Sequence, residues 1–102
     1  MALEKIDLSG FKYKRFSRSA LKELIEGMQL LPCVRSLSLR GNGIGEECER
    51  ELLEVLGITK VKCLDLSDNL IAGKTAVAIG KKLKDEVTHL QWIDLTQNEF
   101  YQ

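Results

Sequence analysis

The sequence predicts an α/β solenoid in which short parallel strands form one side and helices form the other. A short phrase occurs four times, and apolar residues recur within it at the spacing of a strand with one buried face. An apolar pattern with helical spacing follows the first three copies. Because one such unit cannot cover its own apolar face, each copy is expected to bury that face against the next.

The four copies of the phrase predict four strands. They begin at Leu3, Val34, Val61 and Leu90 and read LEKIDLSGFKY, VRSLSLRGNGI, VKCLDLSDNLI and LQWIDLTQNEF. Their inward columns are Ile6, Leu37, Leu64 and Ile93, then Leu8, Leu39, Leu66 and Leu95, and finally Tyr13, Ile44, Ile71 and Phe100. Strands of this kind are expected to lie about 4.8 Å apart in sequence order.

A helix is expected after each of the first three copies. Two further apolar columns contain Leu21, Leu52 and Ile79, then Ile25, Leu56 and Leu83. Within each copy the residues of the two columns lie four apart, which places both on one face of a helix. Each unit is therefore predicted to be a strand followed by a helix.

One polar column stands out between the apolar ones: Asn42, Asn69 and Asn98 occupy it, with Phe11 in the first copy. The pattern Leu-x-x-Leu-x-Leu-x-x-Asn-x-Leu resembles the leucine-rich repeat family over nearly the whole chain. The long period and the helical second half are similar to its ribonuclease-inhibitor-like subclass.

This resemblance implies a short curved solenoid, a right-handed β-α superhelix with about four strands on the concave side and three helices on the convex side. It implies that Asn42, Asn69 and Asn98 form a side-chain ladder that bonds the backbone where the chain leaves each strand. Phe11 departs from the ladder, so the first copy is expected to be a terminal cap. Residues 1–102 are expected to form a single domain.

The composition argues against several functional classes. Fifteen basic residues balance fifteen acidic ones, so no overall field attracts nucleic acid or an anionic membrane. The three cysteines contain no Cys-x-x-Cys pair, which disfavours disulfides and zinc and favours a reducing compartment. The chain has no apolar run long enough for a membrane span, and its start has no apolar stretch typical of a signal peptide. We expect a cytoplasmic protein without metal or cofactor.

The residues that flank the inward leucines are expected to point to the concave side. Candidate partner-binding residues on that side are Arg40, Asp65, Ser67, Asp68, Trp92, Asp94 and Thr96. Trp92 is either an anchor for a protein partner or a side chain that packs sideways on Cys63 and His89. Asp65 and Asp94 are expected to be neighbours, which suits a basic partner; alternatively they are solvated carboxylates that keep an exposed strand soluble.

Catalysis is the hypothesis that the sequence supports least. Cys63 and His89 are the one nucleophile–base pair in reach, but no third residue supports them, so a half-buried structural thiol is favoured. The aspartates lack a closed pocket and a compact loop of oxygen ligands. The glycine run Gly41, Gly43 and Gly45 lacks the lysine of a phosphate loop and is expected to serve the turn after the strand.

Charged side chains also mark the helices and one loop. Glu46, Glu47, Glu49, Glu51 and Glu54 lie on the second helix, and Lys74, Lys81, Lys82 and Lys84 lie on the third. We expect these opposite charges to attract across the helix interface, with a small contribution from each exposed pair. The basic stretch from Lys12 to Arg18 gives only a weak indication of phosphate or acidic-surface binding.

The sequence thus predicts a non-enzymatic module that binds a protein partner through its concave face, and the aspartates there favour a basic partner. The alternative is an assembly subunit that self-associates or docks through its C-terminal edge strand. No helix follows Phe100 and Tyr101, so that strand is expected to have an unpaired edge, which invites other strands. The sequence does not identify the partner.

Overall fold

A computed structural model describes residues 3–10, 17–58, 60–86 and 88–99. Its elements follow the order β1 (Lys5–Asp7), α1 (Arg18–Gln29), β2 (Ser36–Ser38), a 3₁₀ turn (Glu46–Cys48) that continues into α2 (Glu49–Ile58), β3 (Cys63–Asp65), α3 (Gly73–Asp85) and β4 (Trp92–Asp94). The predicted alternation of four strands and three helices is confirmed. The expectations for Phe11, Tyr13, Phe100 and Tyr101, and for the part of the basic stretch from Lys12 to Phe16, fall outside the described residues.

The four strands form one parallel sheet in the order β1-β2-β3-β4. Their register matches the aligned columns, because Ile6, Leu37, Leu64 and Ile93 are successive partners across the sheet. The pairing continues beyond the assigned strands, where the Leu39 N–H donates to the Asp65 carbonyl at 2.9 Å. The repeated phrase therefore forms adjoining strands in sequence order.

The core lies between one face of this sheet and the three helices. Its largest fully buried side chains are Leu21, Ile25, Leu37, Leu39, Ile44, Leu52, Leu64, Leu66, Ile71, Ile79 and Val55. Leu3, the first apolar residue of the first copy, is 51% exposed, because it lies ahead of the outer strand β1.

Local signals place the helices. The Ser17 hydroxyl caps α1 by accepting a hydrogen bond from the Ala20 N–H at 3.1 Å. Glutamates occupy the start of α2, and Lys82 and Lys84 occupy the last turn of α3, where their charges suit the helix dipole. The opposite charges of α2 and α3 thus favour each helix by itself as well as the contact between the two helices.

No helix in the described ranges combines the length and apolarity that a bilayer crossing requires.

The turn after each strand uses a left-handed backbone conformation at the same column. Its φ angles are 87° at Gly10, 70° at Gly41, 55° at Asp68 and 56° at Gln97. Glycine adopts this conformation without steric cost, whereas other residues adopt it with strain. The predicted turn role of the glycine run is confirmed at Gly41 and at Gly43, where φ is 65°. Gly45 serves a close approach instead, since a Cβ there would lie 3.3 Å from the Leu70 carbonyl oxygen.

Candidate protein-binding face

The side of the sheet opposite the helices is covered by no helix among the described residues. We call it the open face and define it by the outward side chains of the four repeats: Lys5, Asp7, Ser9, Ser36, Ser38, Arg40, Cys63, Asp65, Ser67, Trp92, Asp94 and Thr96. The register sets these side chains in rows that run across the strands. Lys5, Ser36, Cys63 and Trp92 form one row, and Asp7, Ser38, Asp65 and Asp94 form the next.

Asp65 and Asp94 are register partners, so the prediction that they are neighbours is confirmed. Each carboxylate also holds its own turn. Asp65 Oδ1 accepts from the Ser67 N–H at 2.9 Å and from the Ser67 hydroxyl at 2.6 Å. Asp94 Oδ1 accepts from the Thr96 N–H and hydroxyl at 2.9 and 2.7 Å. These Asp-Leu-Ser and Asp-Leu-Thr turns give the aspartates a structural role that the sequence analysis missed.

The same hydrogen bonds act on the ionisation of the aspartates. The Thr96 hydroxyl and N–H lower the pKa of Asp94, and the Arg40 charge lowers it further. The Ser9 side chain and N–H lower the pKa of Asp7 in the equivalent turn. Both carboxyl groups therefore keep their charge well below neutral pH.

Arg40 spans two neighbouring repeats. Its Nη1 donates to Ser67 Oγ at 2.8 Å, and its Nη2 donates to Gln97 Oε1 at 3.2 Å. The guanidinium thus crosses β3 toward β4 and lies close enough to Asp94 to affect its pKa. Arg40 is therefore an exposed cation beside the acidic row, and its reach across β3 is not apparent from the aligned columns.

Ser67 is completely buried, with 0% of its surface exposed. The expectation that it contacts a partner is wrong for this conformation, because Arg40 covers its hydroxyl. Thr96 is exposed and Asp68 is half-buried, as surface residues of this face. The Asp68 N–H donates to the Thr96 carbonyl at 2.9 Å, which ties the turns of the last two repeats together.

Trp92 is the most prominent apolar side chain of the open face. It is 51% exposed and lies opposite Cys63 in the register. Cys63 is itself exposed, so the expected half-buried thiol is wrong. Exposure of about half an indole ring leaves a large apolar surface beside charged rows, which is the composition of an interface anchor.

The predicted asparagine column forms a ladder of side-chain hydrogen bonds. Asn69 Oδ1 accepts from the N–H groups of Asn42 and Ile44, at 2.9 and 3.0 Å. Its Nδ2 donates to the carbonyls of Leu39, Leu66 and Ser67. The Asn69 side chain thereby supplies hydrogen-bond partners to backbone groups of two successive repeats, at positions beyond the paired strands.

The two flanking members of the column make similar contacts. Asn98 Oδ1 accepts from the Ile71 N–H at 2.9 Å, and its Nδ2 donates to Leu66 and Leu95. Asn42 Nδ2 donates to Leu8 and Leu39. Asn42 Oδ1 is buried without a hydrogen-bond partner in the part of the chain that the structure describes.

A second concave region lies on the helix side, between α1 and α2. It is an open groove of about 630 Å³ lined by Ser17, Arg18, Ser19, Lys22, Glu47, Arg50, Glu51 and Glu54. At its floor the Arg18 Nε lies 3.4 Å from Oε1 of Glu51, which is buried. Glu51 Oε1 accepts no hydrogen bond among the described residues, and Glu51 Oε2 accepts a long one from Arg18 Nη2 at 3.5 Å, so this ion pair is loosely aligned. We assign the pair to the packing of α1 on α2.

Two other inter-helix contacts join α2 and its 3₁₀ turn to α3. Lys74 pairs with Glu46, as the charges of the two helices predict, and this pair is exposed. The Thr75 hydroxyl, which is buried, donates to Glu49 Oε1 at 2.9 Å. Cys48, also buried, has its pKa raised to about 11 by desolvation and by the charges of Glu47 and Glu51. Its thiol stays protonated at neutral pH.

Metal binding has no support within the described ranges, where no three His, Cys, Asp or Glu side chains are close enough to hold an ion. The open face presents charged groups, hydrogen-bonding groups, the exposed thiol of Cys63 and one large apolar side chain, Trp92.

The comparisons with known proteins bear on the fold. No family model matches the sequence. A mouse (Mus musculus) Tonsoku-like protein is 32% identical over 84 residues, which cover 79% of this chain and 6% of that protein. The tropomodulin C-terminal domain of Caenorhabditis elegans has a similar structure, with a TM-score of 0.76 at 16% identity. The match covers 94% of this chain and 56% of that one.

These likenesses support an α/β fold of the leucine-rich-repeat type with four parallel strands and three helices. The chain spans a small fraction of the Tonsoku-like protein and about half of the tropomodulin structure. At 16% identity the structural likeness concerns the fold alone. Curvature of the sheet and membership of the ribonuclease-inhibitor-like subclass stay predictions.

Proposed function

We propose that this chain is a non-enzymatic protein-binding module whose open face, curved inward as a concave sheet, docks a protein partner. The observation that carries the proposal is Trp92, 51% exposed at one side of a sheet face that no described helix covers. The similarity to a tropomodulin domain and to a Tonsoku-like protein supports a fold of the repeat type, which suits extended binding surfaces. Residues 1–102 would act as one leucine-rich repeat domain.

The proposed contact residues are those of the open face that remain accessible. They are Arg40, Asp65, Asp68, Trp92, Asp94 and Thr96. Trp92 would supply apolar contact area, and the aspartates would supply charge that fits a basic group of the partner. Ser67 would act indirectly, because its hydroxyl holds the Arg40 guanidinium.

Affinity capture with matched variants tests the face. Trp92→Ala removes the exposed indole, and Val77→Ala removes an apolar side chain that is 72% exposed on α3. We expect Trp92→Ala to reduce the captured partner about tenfold or more, as hot-spot truncations do, while Val77→Ala leaves capture unchanged. Far-UV circular dichroism and urea unfolding would verify that both variants fold. Equal capture by both variants would reject the open face.

A second function, assembly through the outer edge of β4, is favoured by a separate observation. Ile93 and Leu95 are only partly buried, whereas Leu64 and Leu66 at the same positions of β3 are 0% and 1% exposed. A second copy of the chain that added a strand there would bury both. This hypothesis predicts mass that rises with concentration in multi-angle light scattering. A constant monomer mass at the highest soluble concentration would reject it.

A further inference from the structure

Charge on and beside the open face is separated along the strand direction. Lys5, Arg35, Lys60 and Lys62 lie where the strands begin, and we call them the basic rim. Asp7, Asp65, Asp68 and Asp94 lie where the strands end, and we call them the acidic rim. Each rim contains one exposed residue of the opposite charge among the described residues, Glu4 in the first and Arg40 in the second.

The backbone pairing brings the basic rim together. The Arg35 N–H donates to the Glu4 carbonyl at 2.8 Å, and the Lys62 N–H donates to the Arg35 carbonyl at 2.7 Å. Arg35 and Lys62 therefore start neighbouring strands, about 4.8 Å apart. The side chains of Lys5, Lys60 and Lys62 are exposed, and that of Arg35 is half-buried.

The acidic rim is held in place by the register and by the turns. Asp65 faces Asp94 directly, and Asp7 is separated from Asp65 by Ser38 alone. Hydrogen bonds from Ser67 and Thr96 fix the orientation of two of these carboxylates. Like charges at adjacent positions repel one another, so this row mildly destabilises the sheet.

On β3 the two rims lie beyond ion-pair range of each other, whereas on β1 Lys5 and Asp7 are two residues apart on the same face. Lys62 and Asp65 are three residues apart along one chain, which corresponds to about 10 Å at the rise of a strand. This distance exceeds ion-pair range and is close to the Debye length at physiological salt, about 8 Å. A partner on the open face would thus meet a positive surface at one end and a negative surface at the other.

We propose, on the basis of the proposed function, that the open face binds an extended partner segment whose own charges are separated, acidic at one end and basic at the other. Its acidic end lies on the basic rim, its basic end lies on the acidic rim, and an apolar side chain between them contacts Trp92. Trp92 occupies the row between Lys62 and the aspartate row, which is where that apolar side chain would fall. A segment with mixed charges places like charges together at both rims, which opposes binding.

Two synthetic peptides of identical composition test the inference. The first, acetyl-Glu-Glu-Gly-Leu-Gly-Lys-Lys-amide, has separated charges; the second, acetyl-Glu-Lys-Gly-Leu-Gly-Glu-Lys-amide, has mixed charges. Each is titrated into the ¹⁵N-labelled protein at low salt, and chemical shifts are followed by NMR. We expect the first peptide to bind about fivefold more tightly or better, to shift resonances of both rims and the Trp92 indole, and to weaken as salt is added.

Charge-reversal variants provide the control. Lys60→Glu with Lys62→Glu reverses the charge at two positions of the basic rim, and Lys81→Glu with Lys84→Glu makes the same net change at exposed positions of α3. We expect the first double variant to lose the preference for the charge-separated peptide and the second to keep it. Loss in both would mean that net charge alone governs binding, which overturns the inference.

Other results also overturn the inference: equal affinity for the two peptides, shifts confined to the helix side, or no binding of either. These outcomes leave the proposed function open to its own test. The Trp92→Ala capture experiment uses the natural partner and does not depend on the peptides.

Discussion

The two inner strands and the two outer strands carry nearly the same phrase, yet their leucines differ in burial. Leu39 of the second repeat and Leu66 of the third are 0% and 1% exposed. Leu8 and Leu95, at the equivalent position of the first and last repeats, are only partly buried. Each inner strand has a neighbour on both sides, whereas each outer strand has one among the described residues. Burial in this fold is therefore set by the neighbouring repeats and not by the repeat's own residues.

The asparagine column shows the same difference. Asn42 and Asn69 are 0% and 5% exposed, and Asn98 is half-buried. The three side chains make similar hydrogen bonds, but Asn42 and Asn69 have a neighbouring repeat on each side, which shields them from water. The inner repeats should therefore contribute most of the stability, and paired substitutions at equivalent positions would measure the difference.

The largest difference is expected for a leucine pair. Leu66→Ala should lower the free energy of unfolding by about 2–5 kcal/mol, since it removes buried methyl groups and leaves a cavity. Leu95→Ala should lower it by less than half as much, because that side chain is partly solvated in the native state. Urea unfolding followed by circular dichroism measures both. Equal losses would show that the last repeat is packed as tightly as the third.

The next difference is expected for an asparagine pair. Asn69→Ala leaves the buried N–H groups of Asn42 and Ile44 without their acceptor, which should cost about 2–3 kcal/mol. Asn98→Ala should cost less, because its contacts are partly exposed to water, which can replace them. The same urea experiment applies. A larger loss for Asn98→Ala would contradict the greater weight given to the inner repeats.

A smaller effect is expected at the left-handed turn column. Gly41→Ala should cost about 1–2 kcal/mol, because its φ of 70° strains any residue with a Cβ. Gln97→Gly relieves that strain, but it adds chain entropy to the unfolded state and removes the exposed acceptor of Arg40 Nη2, so stability should stay nearly constant. Gly27→Ala is the matched control, since α1 leaves open space there and alanine favours a helix. A Gly41→Ala protein with the same free energy of unfolding as the unchanged protein would contradict the requirement for glycine.

The smallest effect concerns pH. The folded-state pKa values of Asp7 and Asp94 lie below the ordinary value of 3.8, so folding favours their charged forms. Their contribution is therefore present above about pH 4 and is lost as the pH falls through the lowered pKa values. Asp94→Asn keeps an acceptor for Thr96 without the charge. We expect urea unfolding from pH 6 to pH 2 to show a shallower acid decline for this variant; an unchanged decline would assign no role to Asp94.

Much of the fold was predictable because its signals are local. The periods of two and of about 3.6 residues identify strands and helices within each repeat, and the aligned columns identified Leu37, Leu64 and Ile79 as core residues. The asparagine ladder followed from the family resemblance. By contrast, no pattern in the sequence indicates that Arg18 reaches Glu51 or that the Thr75 hydroxyl donates to Glu49. Those pairs are 33 and 26 residues apart along the chain.

By itself the sequence determined the order of strands and helices and the side of each strand that faces the core, because spacing along one chain sets both. Tertiary structure decided the character of the open face. Ser67 is buried and Arg40 extends toward the last repeat, since side chains from successive repeats meet only after stacking. Stacking also formed the two rims, because the register aligns the basic residues at the strand starts with one another and the aspartates at the strand ends with one another.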